Sequence, residues 1–124
     1  DRFSSYWDDD TEMTYPLILA KIPVKNPWEI FAYLPFGNWN DCPDTPELMA
    51  AAKYWFQQHG AIPAAMSHDE LEFELPTPIS KERAMEVAVE QYGFCPDLDQ
   101  NEDGSIGSLA DVLWQSTVWY FWWD

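Results

Sequence analysis

The chain has 124 residues, of which 47% are hydrophobic and 17% are aromatic, including eight tryptophans. This composition excludes intrinsic disorder for most of the length and predicts one domain with an aromatic-rich core. Twenty-two acidic residues against six basic ones give a formal charge of −16, which disfavours direct binding to nucleic acid or to a membrane surface and favours a basic protein or a cation as the partner. The same charge also suits a purely solubilising surface.

The N-terminal part predicts an arm and then a strand. Residues 1–14 are polar and carry an acidic run, so we expect a flexible arm there, followed by a single domain at residues 15–124. Residues 17–24 are apolar except for Lys21, which predicts a strand that is covered on both faces.

Two helices are predicted next. Asn26 is a favourable N-cap, with Glu29 as the acid of a capping box, and the helix that they begin is short. A second helix begins at a cap formed by Asp44 or Thr45 and ends at Gly60. Its apolar face consists of Leu48, Ala52, Trp55 and His59.

A hairpin follows the second helix. Residues 62–67 and 71–75 are predicted to pair around a turn at His68 and Asp69. The second strand alternates clearly, so one side of the sheet should be core and the other wet. Leu71, Phe73 and Leu75 are expected to face the core, and Glu72 and Glu74 the solvent.

The C-terminal third predicts two helices and a strand. Ser80 begins a helix that Gly93 ends, and Ser108 with Asp111 predicts the capping box of a last short helix. Residues 118–123 form the last strand, aromatic on both faces, which is typical of a central strand or of one that offers a face to a partner. The third helix is expected to bury Ala84, Met85, Ala88, Val89 and Tyr92.

The order of the elements is strand, helix, helix, strand, strand, helix, helix, strand. This order favours a two-layer α+β fold, in which helices cover a small mixed sheet of four strands.

Five segments of the sequence resemble a known family. They are KNPWE at residues 25–29, FGNWNDCP at 36–43, KYW at 53–55, FCPD at 94–97 and WYFWWD at 119–124. The chain is similar along residues 16–124 to DUF4253, an uncharacterised and mainly bacterial family of unknown function. The resemblance implies a single domain that ends at Asp124, and it implies no activity, cofactor or catalytic residue.

The loop at residues 36–43 is the first candidate site. It holds an indole, amides, a carboxylate and a thiol, and loops that concentrate such groups often bind ligands. If it meets the segment at residues 94–97, a pocket could form from Trp39, Asn40, Asp41, Cys42 and Asp97. The alternative is structural, because Asn and Asp satisfy turn backbone and Trp39 can fill the core.

The two cysteines are a second candidate. Cys42 and Cys95 each precede Pro-Asp, and a reactive thiol would need a base such as His59 or His68 beside it. The acidic surroundings oppose this role, and buried inert thiols are the simpler interpretation. A zinc site made from these four residues has no standard ligand spacing.

The acidic turn after residue 98 is a candidate calcium loop. Asp99, Asn101, Asp103 and Ser105 follow the alternating ligand positions of such a loop. The twelfth position is Ala110, where a bidentate carboxylate belongs. The alternative is a solvated acidic turn.

These observations favour a non-catalytic protein-interaction module, of the immunity or inhibitor type, that binds a basic partner. One alternative is a small-molecule-binding or enzymatic domain with its site between loops 36–43 and 94–97. Another is a regulatory domain appended to a preceding segment. No apolar run reaches membrane-spanning length and no signal peptide is visible, so a cytoplasmic location is expected.

Overall fold

A three-stranded antiparallel sheet and two long helices dominate the fold in a computed structural model, which describes residues 3–100 and 105–124 (of residues 99 and 100, the backbone alone). The sheet has the spatial order β3 (Ile62–Met66), β4 (Glu70–Glu74), β5 (Val118–Trp122). A separate ribbon pairs β1 (Trp7–Asp8) with β2 (Met13–Thr14). The helices are α1 (Thr45–His59), α2 (Lys81–Phe94) and α3 (Ile106–Leu113), with 3₁₀ helices at Pro27–Ala32 and Pro96–Gln100.

Aromatic rings join the sheet to the helices. Trp55 of α1 stacks on Phe121 with ring centroids 5.5 Å apart, and it meets Phe73 and Trp119 edge to face. Phe94, the last residue of α2, packs edge to face on Phe121 at 5.2 Å. Such perpendicular and stacked pairs add to the free energy that burial of the rings already supplies. The predicted aromatic core therefore exists, and it lies on one face of the sheet.

The predicted α+β class is confirmed, but the single mixed sheet of four strands is wrong. The residues predicted as the first strand, 17–24, have no strand partner among the described residues. Ile18 and Leu19 are 95% and 99% exposed, so the first half of this segment is uncovered, while Ile22 and Val24 in the second half are partly buried. Pro16 and Pro23, at its two ends, have no N–H to donate to a sheet. The apolar pattern alone cannot supply a partner.

The predicted caps of the first two helices are confirmed. The Asn26 N–H donates to the Glu29 carboxylate over 2.6 Å, although the element that follows is a 3₁₀ helix. Asp44 caps α1 by accepting from the Glu47 N–H over 3.0 Å, and Gly60 ends that helix with a left-handed φ of 72°. These caps involve neighbours within a few residues, which is why the sequence predicts them.

The hairpin is confirmed, with one correction on its outer face. Leu71 and Phe73 are fully buried and Glu74 is exposed, as the alternation predicts. Glu72 was expected to face solvent, but it is fully buried. Its carboxylate accepts the backbone N–H groups of Ser4 over 3.0 Å and Ser5 over 2.7 Å. The N-terminal segment thus covers the outer face of β4, and no strand periodicity can reveal that.

The buried face of α2 is rotated from the predicted one. Met85 and Val89, predicted as core, are about half exposed, while Val87 and Gln91 are buried. A polar glutamine in the buried stripe shifts the apparent apolar face by one position on the helix, which is about 100°. The helix also continues through Gly93 to Phe94. A Cβ at position 93 would meet no described atom within 4 Å, so packing does not require glycine there.

The last helix begins at a different cap from the predicted one, and the last strand has a different place in the sheet. Ser105, and not Ser108, caps α3, because its hydroxyl accepts the Ser108 N–H over 3.0 Å. The predicted last strand is present as β5, with Trp119 and Phe121 buried on one face and the residues of the other face partly buried. The strand lies at the edge of the sheet and not at its centre. Within the described parts of the chain, no helix has the length and apolar character needed to span a bilayer.

Candidate functional site

The predicted site loops meet at the C-terminal residue. The Asn40 side-chain amide donates to the Asp124 backbone carbonyl over 2.7 Å. The Asp124 N–H donates to the Asp97 carboxylate over 2.9 Å. Loops 36–43 and 94–97 are therefore joined through the main chain that follows β5, and two of the candidate polar groups act as its clamp.

The conformation of the first loop depends on left-handed residues. Gly37, Asn38 and Asn40 have φ values of 88°, 65° and 44°, a region that glycine and asparagine tolerate best. The loop closes where the Asn38 N–H donates to the Pro43 carbonyl over 2.9 Å. A Cβ on Gly37 would lie 2.2 Å from that same carbonyl oxygen, so only glycine fits. The asparagines thus serve the turn as well as the site.

An aromatic floor lies under this loop. Phe36 contacts Trp39 at 5.2 Å and Trp123 at 5.8 Å, in both cases edge to face. Trp39 is half-buried against these rings, while Asp41 is exposed. The structure therefore brings Asn40 and Asp97 together through Asp124 but leaves Asp41 outside this arrangement.

The two thiols are buried and protonated. Burial raises the pKa of Cys42 and of Cys95 to about 12 in each case, against 9.0 for a free thiol. The Cys95 thiol donates to the Trp122 carbonyl over 3.0 Å. Neither thiol is in a disulfide, and at neutral pH neither is a thiolate. A nucleophilic or redox role would require the opposite shift in pKa.

No zinc site is assembled among the described residues, and most of the predicted calcium ligands lie outside them. No cluster of three His, Cys, Asp or Glu side chains suitable for a metal occurs in the described part of the chain. His68, for example, is 89% exposed in its side chain and contacts only its neighbour Asp69 as an ion-pair partner. For the calcium loop, Asn101, Asp103 and the side chain of Asp99 lie outside the described residues, and the Ser105 hydroxyl is used as the cap of α3.

A polar cluster that the sequence did not predict lies on the outer face of the sheet. The Tyr120 hydroxyl donates to one oxygen of Glu70 over 2.6 Å, and the Ser67 hydroxyl donates to the other over 2.9 Å. Burial, and then the bond to Glu70, raises the pKa of Tyr120 far above its usual value. Glu72 lies opposite Tyr120 in the strand register. The strand register could have predicted the pairing of Glu72 with Tyr120. The N-terminal segment covers Glu72 through a long-range contact, which the sequence pattern does not indicate.

An exposed apolar strip precedes the domain core. The strip comprises residues 13–19, and its large apolar side chains are between half and fully exposed: Met13, Tyr15, Leu17, Ile18 and Leu19. It directly follows the acidic turn of the β1–β2 ribbon, where Asp10 and Glu12 are exposed. Contiguous exposed apolar side chains of this kind are uncommon on the free surface of a monomeric protein.

Two cavities lie along α3, with volumes of about 530 and 260 Å³. The larger is an open groove against α2, and the smaller lies between α3 and β5. Neither is lined by residues of loops 36–43 or 94–97, so both are distinct from the predicted site.

A family model described as a domain of unknown function, DUF4253, matches residues 18–124, which is most of the chain. No curated protein and no solved structure matches the sequence. The match begins within the exposed strip and runs through the C-terminal clamp at Asp124, so it covers all the residues of the core described above. The chain therefore belongs to the DUF4253 family of domains of unknown function.

Proposed function

We propose that this chain is a non-catalytic protein-interaction module that binds a basic partner through the exposed strip. The single observation that carries the proposal is the exposure of Ile18 (95%) and Leu19 (99%) in a segment that has no strand partner among the described residues. Contiguous apolar side chains of this kind are disfavoured in water unless another surface covers them. A protein partner is the covering surface with matching chemistry.

The form of the strip indicates how it binds. The Tyr15 N–H donates to the Tyr6 carbonyl over 2.8 Å, but no strand pairs with residues 16–24 within the described chain, so these residues can add to the sheet edge of another protein. In such strand addition, the main chain supplies hydrogen bonds and alternate side chains fill pockets. The apolar residues of the strip suit the second task.

The charge distribution selects the partner. Asp10 and Glu12 are exposed immediately before the strip, and the chain as a whole carries a formal charge of −16. Acidic groups around an apolar contact steer a basic partner and speed its association, most strongly at low salt. We therefore expect a partner with a basic rim around an apolar edge.

The state of the predicted site supports a non-catalytic role. Cys42 and Cys95 are protonated because burial raises the pKa of each thiol, and Asn40 and Asp97 bind the backbone of Asp124. Groups engaged in this way stabilise the fold and are not poised for nucleophilic or acid–base chemistry.

The test compares two charge insertions at exposed apolar positions. Affinity capture from the native lysate is done with the wild-type chain, with Ile18→Asp combined with Leu19→Asp, and with Val89→Asp. Val89 is the matched control because it is 54% exposed but lies on α2, away from the strip. We expect one basic protein to be captured by the wild type and by Val89→Asp, and to be lost with the double variant.

The captured protein is then purified and its Kd is measured at two salt concentrations. We expect the double variant to bind at least about tenfold more weakly, and higher salt to weaken the wild-type complex. A partner that binds the double variant as well as the wild type would contradict the proposal. So would a strip that serves only to join two copies of this chain, as seen by light scattering.

A further inference from the structure

The smaller cavity has the character of a ligand site that is separate from the exposed strip. It has a volume of about 260 Å³, just below the roughly 300–1,000 Å³ that is common for small-molecule sites. Leu98, Leu109 and Leu113 form apolar walls, and Val112 of α3 stands at the rim, 56% exposed. The cavity thus has an apolar lining and is open to solvent on one side.

Two buried donors line this cavity without partners. Gln91 and Trp119 are each 1% exposed, and both are lining residues. The Gln91 side-chain nitrogen and the Trp119 indole nitrogen are buried and have no hydrogen-bond partner among the residues described. Native proteins pair nearly all such groups, because an unmade buried hydrogen bond destabilises the fold. Two unpaired donors on one cavity indicate an acceptor that arrives with a ligand.

The open edge of β5 adds backbone groups to the same cavity. The Leu75 N–H donates to the Thr117 carbonyl, and the Trp123 N–H donates to the Asp69 carbonyl. Residues that exchange hydrogen bonds alternate along an antiparallel pair, so Tyr120 directs its N–H and C=O away from β4.

The flanking edge positions are already occupied. Val118 bonds to the Ser116 hydroxyl through both its N–H and its carbonyl, and the Trp122 carbonyl accepts from Cys95. Tyr120, which lines the cavity, lies between these two occupied positions. Its backbone therefore offers one donor and one acceptor side by side, as a strand offers them to another peptide group.

The lining decides the charge of the ligand. The described residues that line the cavity include no Asp, Glu, Lys or Arg, and the chain as a whole is strongly negative. An anionic ligand would lose hydration without gaining a cation, and a cationic ligand would find no carboxylate. A neutral ligand with an acceptor oxygen satisfies the donors without this penalty.

We propose that this cavity binds a small neutral molecule that carries an amide group on an apolar body. The amide carbonyl accepts from Gln91 and Trp119, the amide N–H faces the β5 edge at Tyr120, and the apolar body lies between the leucines. The site goes beyond the partner binding proposed above, because it lies on α3 and β5 and shares no residue with the exposed strip.

The test uses acetanilide as the probe, because it joins a secondary amide to a phenyl ring. Titration is followed by ¹H–¹⁵N NMR of the full chain, on the Trp119 indole N–H and the Gln91 side-chain amide. We expect both resonances to shift saturably. Ethylbenzene, which keeps the ring but lacks the amide, should bind about tenfold more weakly because it leaves the donors unpaired.

Two variants and a matched control locate the site. Val112→Trp fills the rim and should abolish the shifts, while Val89→Trp, at a similarly exposed position on α2, should leave them unchanged. Gln91→Leu should weaken acetanilide binding about tenfold without lowering Tm, because it removes a buried group that has no partner. A purely structural glutamine would instead lower Tm when replaced.

Three results would overturn the proposal. They are the absence of saturable shifts at millimolar acetanilide, equal binding of ethylbenzene, and unchanged binding by a folded Val112→Trp variant. Tighter binding of phenylacetate than of acetanilide would also reject it, since the lining then selects an anion.

Discussion

Two apolar runs of this chain look alike in sequence and end in opposite environments. Residues 17–24 and residues 118–123 are both rich in large apolar side chains, and both predict a strand. The second forms β5, in which Trp119 and Phe121 are almost fully buried, whereas Leu19 of the first is 99% exposed. The comparison teaches that apolar pattern predicts the capacity to form a strand, while a neighbouring edge decides whether the strand is built within the chain.

The largest contrast is expected from truncation of one side chain in each run. Phe121→Ala should lower the free energy of unfolding by about 3–5 kcal/mol, because its ring contacts four aromatic neighbours in the core. Leu19→Ala should change it by less than about 0.5 kcal/mol. Urea denaturation measures both values. A large loss for Leu19→Ala would mean that the strip is packed in solution.

The N-terminal segment is fastened upstream of the strip, at Glu72. Glu72→Ala should destabilise the fold by about 1–3 kcal/mol, since it leaves the Ser4 and Ser5 N–H groups without their acceptor. Glu74→Ala, on the same strand but exposed, is the control and should have little effect. Equal effects of the two substitutions in chemical denaturation would show that the buried carboxylate holds nothing in place.

The C-terminal run, residues 118–123, is held in place by the residue that follows it, because the side chains of Asn40 and Asp97 bind the Asp124 backbone. Asn40→Ala removes the 2.7 Å bond to the Asp124 carbonyl and should destabilise the fold by about 0.5–1.5 kcal/mol. Asn40→Gly retains the left-handed backbone at φ 44° and separates that contribution from the lost bond. Thermal unfolding should rank wild type above glycine and glycine above alanine. A glycine variant as stable as the wild type would show that the bond contributes nothing, and an alanine variant as stable as the glycine variant would show that the left-handed backbone carries no strain.

The stability of the fold is also expected to fall in alkali, because of the two buried thiols, and to be unaffected by them at neutral pH. The unfolded thiols ionise near pH 9.0, while burial raises the pKa of Cys42 and Cys95 to about 12 in the folded state. The unfolded state therefore loses protons first, and stability should fall as pH rises from 9 to about 12.

Thiol labelling tests the burial of Cys42 and Cys95, on which this pH dependence rests. In the native chain at pH 8, neither cysteine should react with a water-soluble disulfide reagent, whereas both should react in urea. A cysteine placed in the strip by Leu19→Cys should react at once in the native chain, because its position is exposed. Fast native labelling of the wild type would contradict the burial of the two thiols.

The fold was predictable where it depends on neighbours in sequence. The Glu29 carboxylate binds the Asn26 N–H, and Asp44 caps α1 within three residues. The hairpin at residues 62–75 follows from alternation and a polar turn. The candidate site was predictable only as a juxtaposition of loops 36–43 and 94–97, because nothing local indicates that both bind the Asp124 backbone.

The amino-acid sequence by itself determined the α+β class, the caps of the first two helices and the hairpin alternation that buries Leu71 and Phe73, because these depend on hydrogen bonds and periodicities that span a few residues. Only the tertiary structure decided that Glu72 is buried, that residues 17–19 are left uncovered and that Gln91 lines a cavity. Each of these outcomes depends on which distant segment covers a surface. Burial is a property of the assembled layers, and a one-dimensional pattern does not contain it.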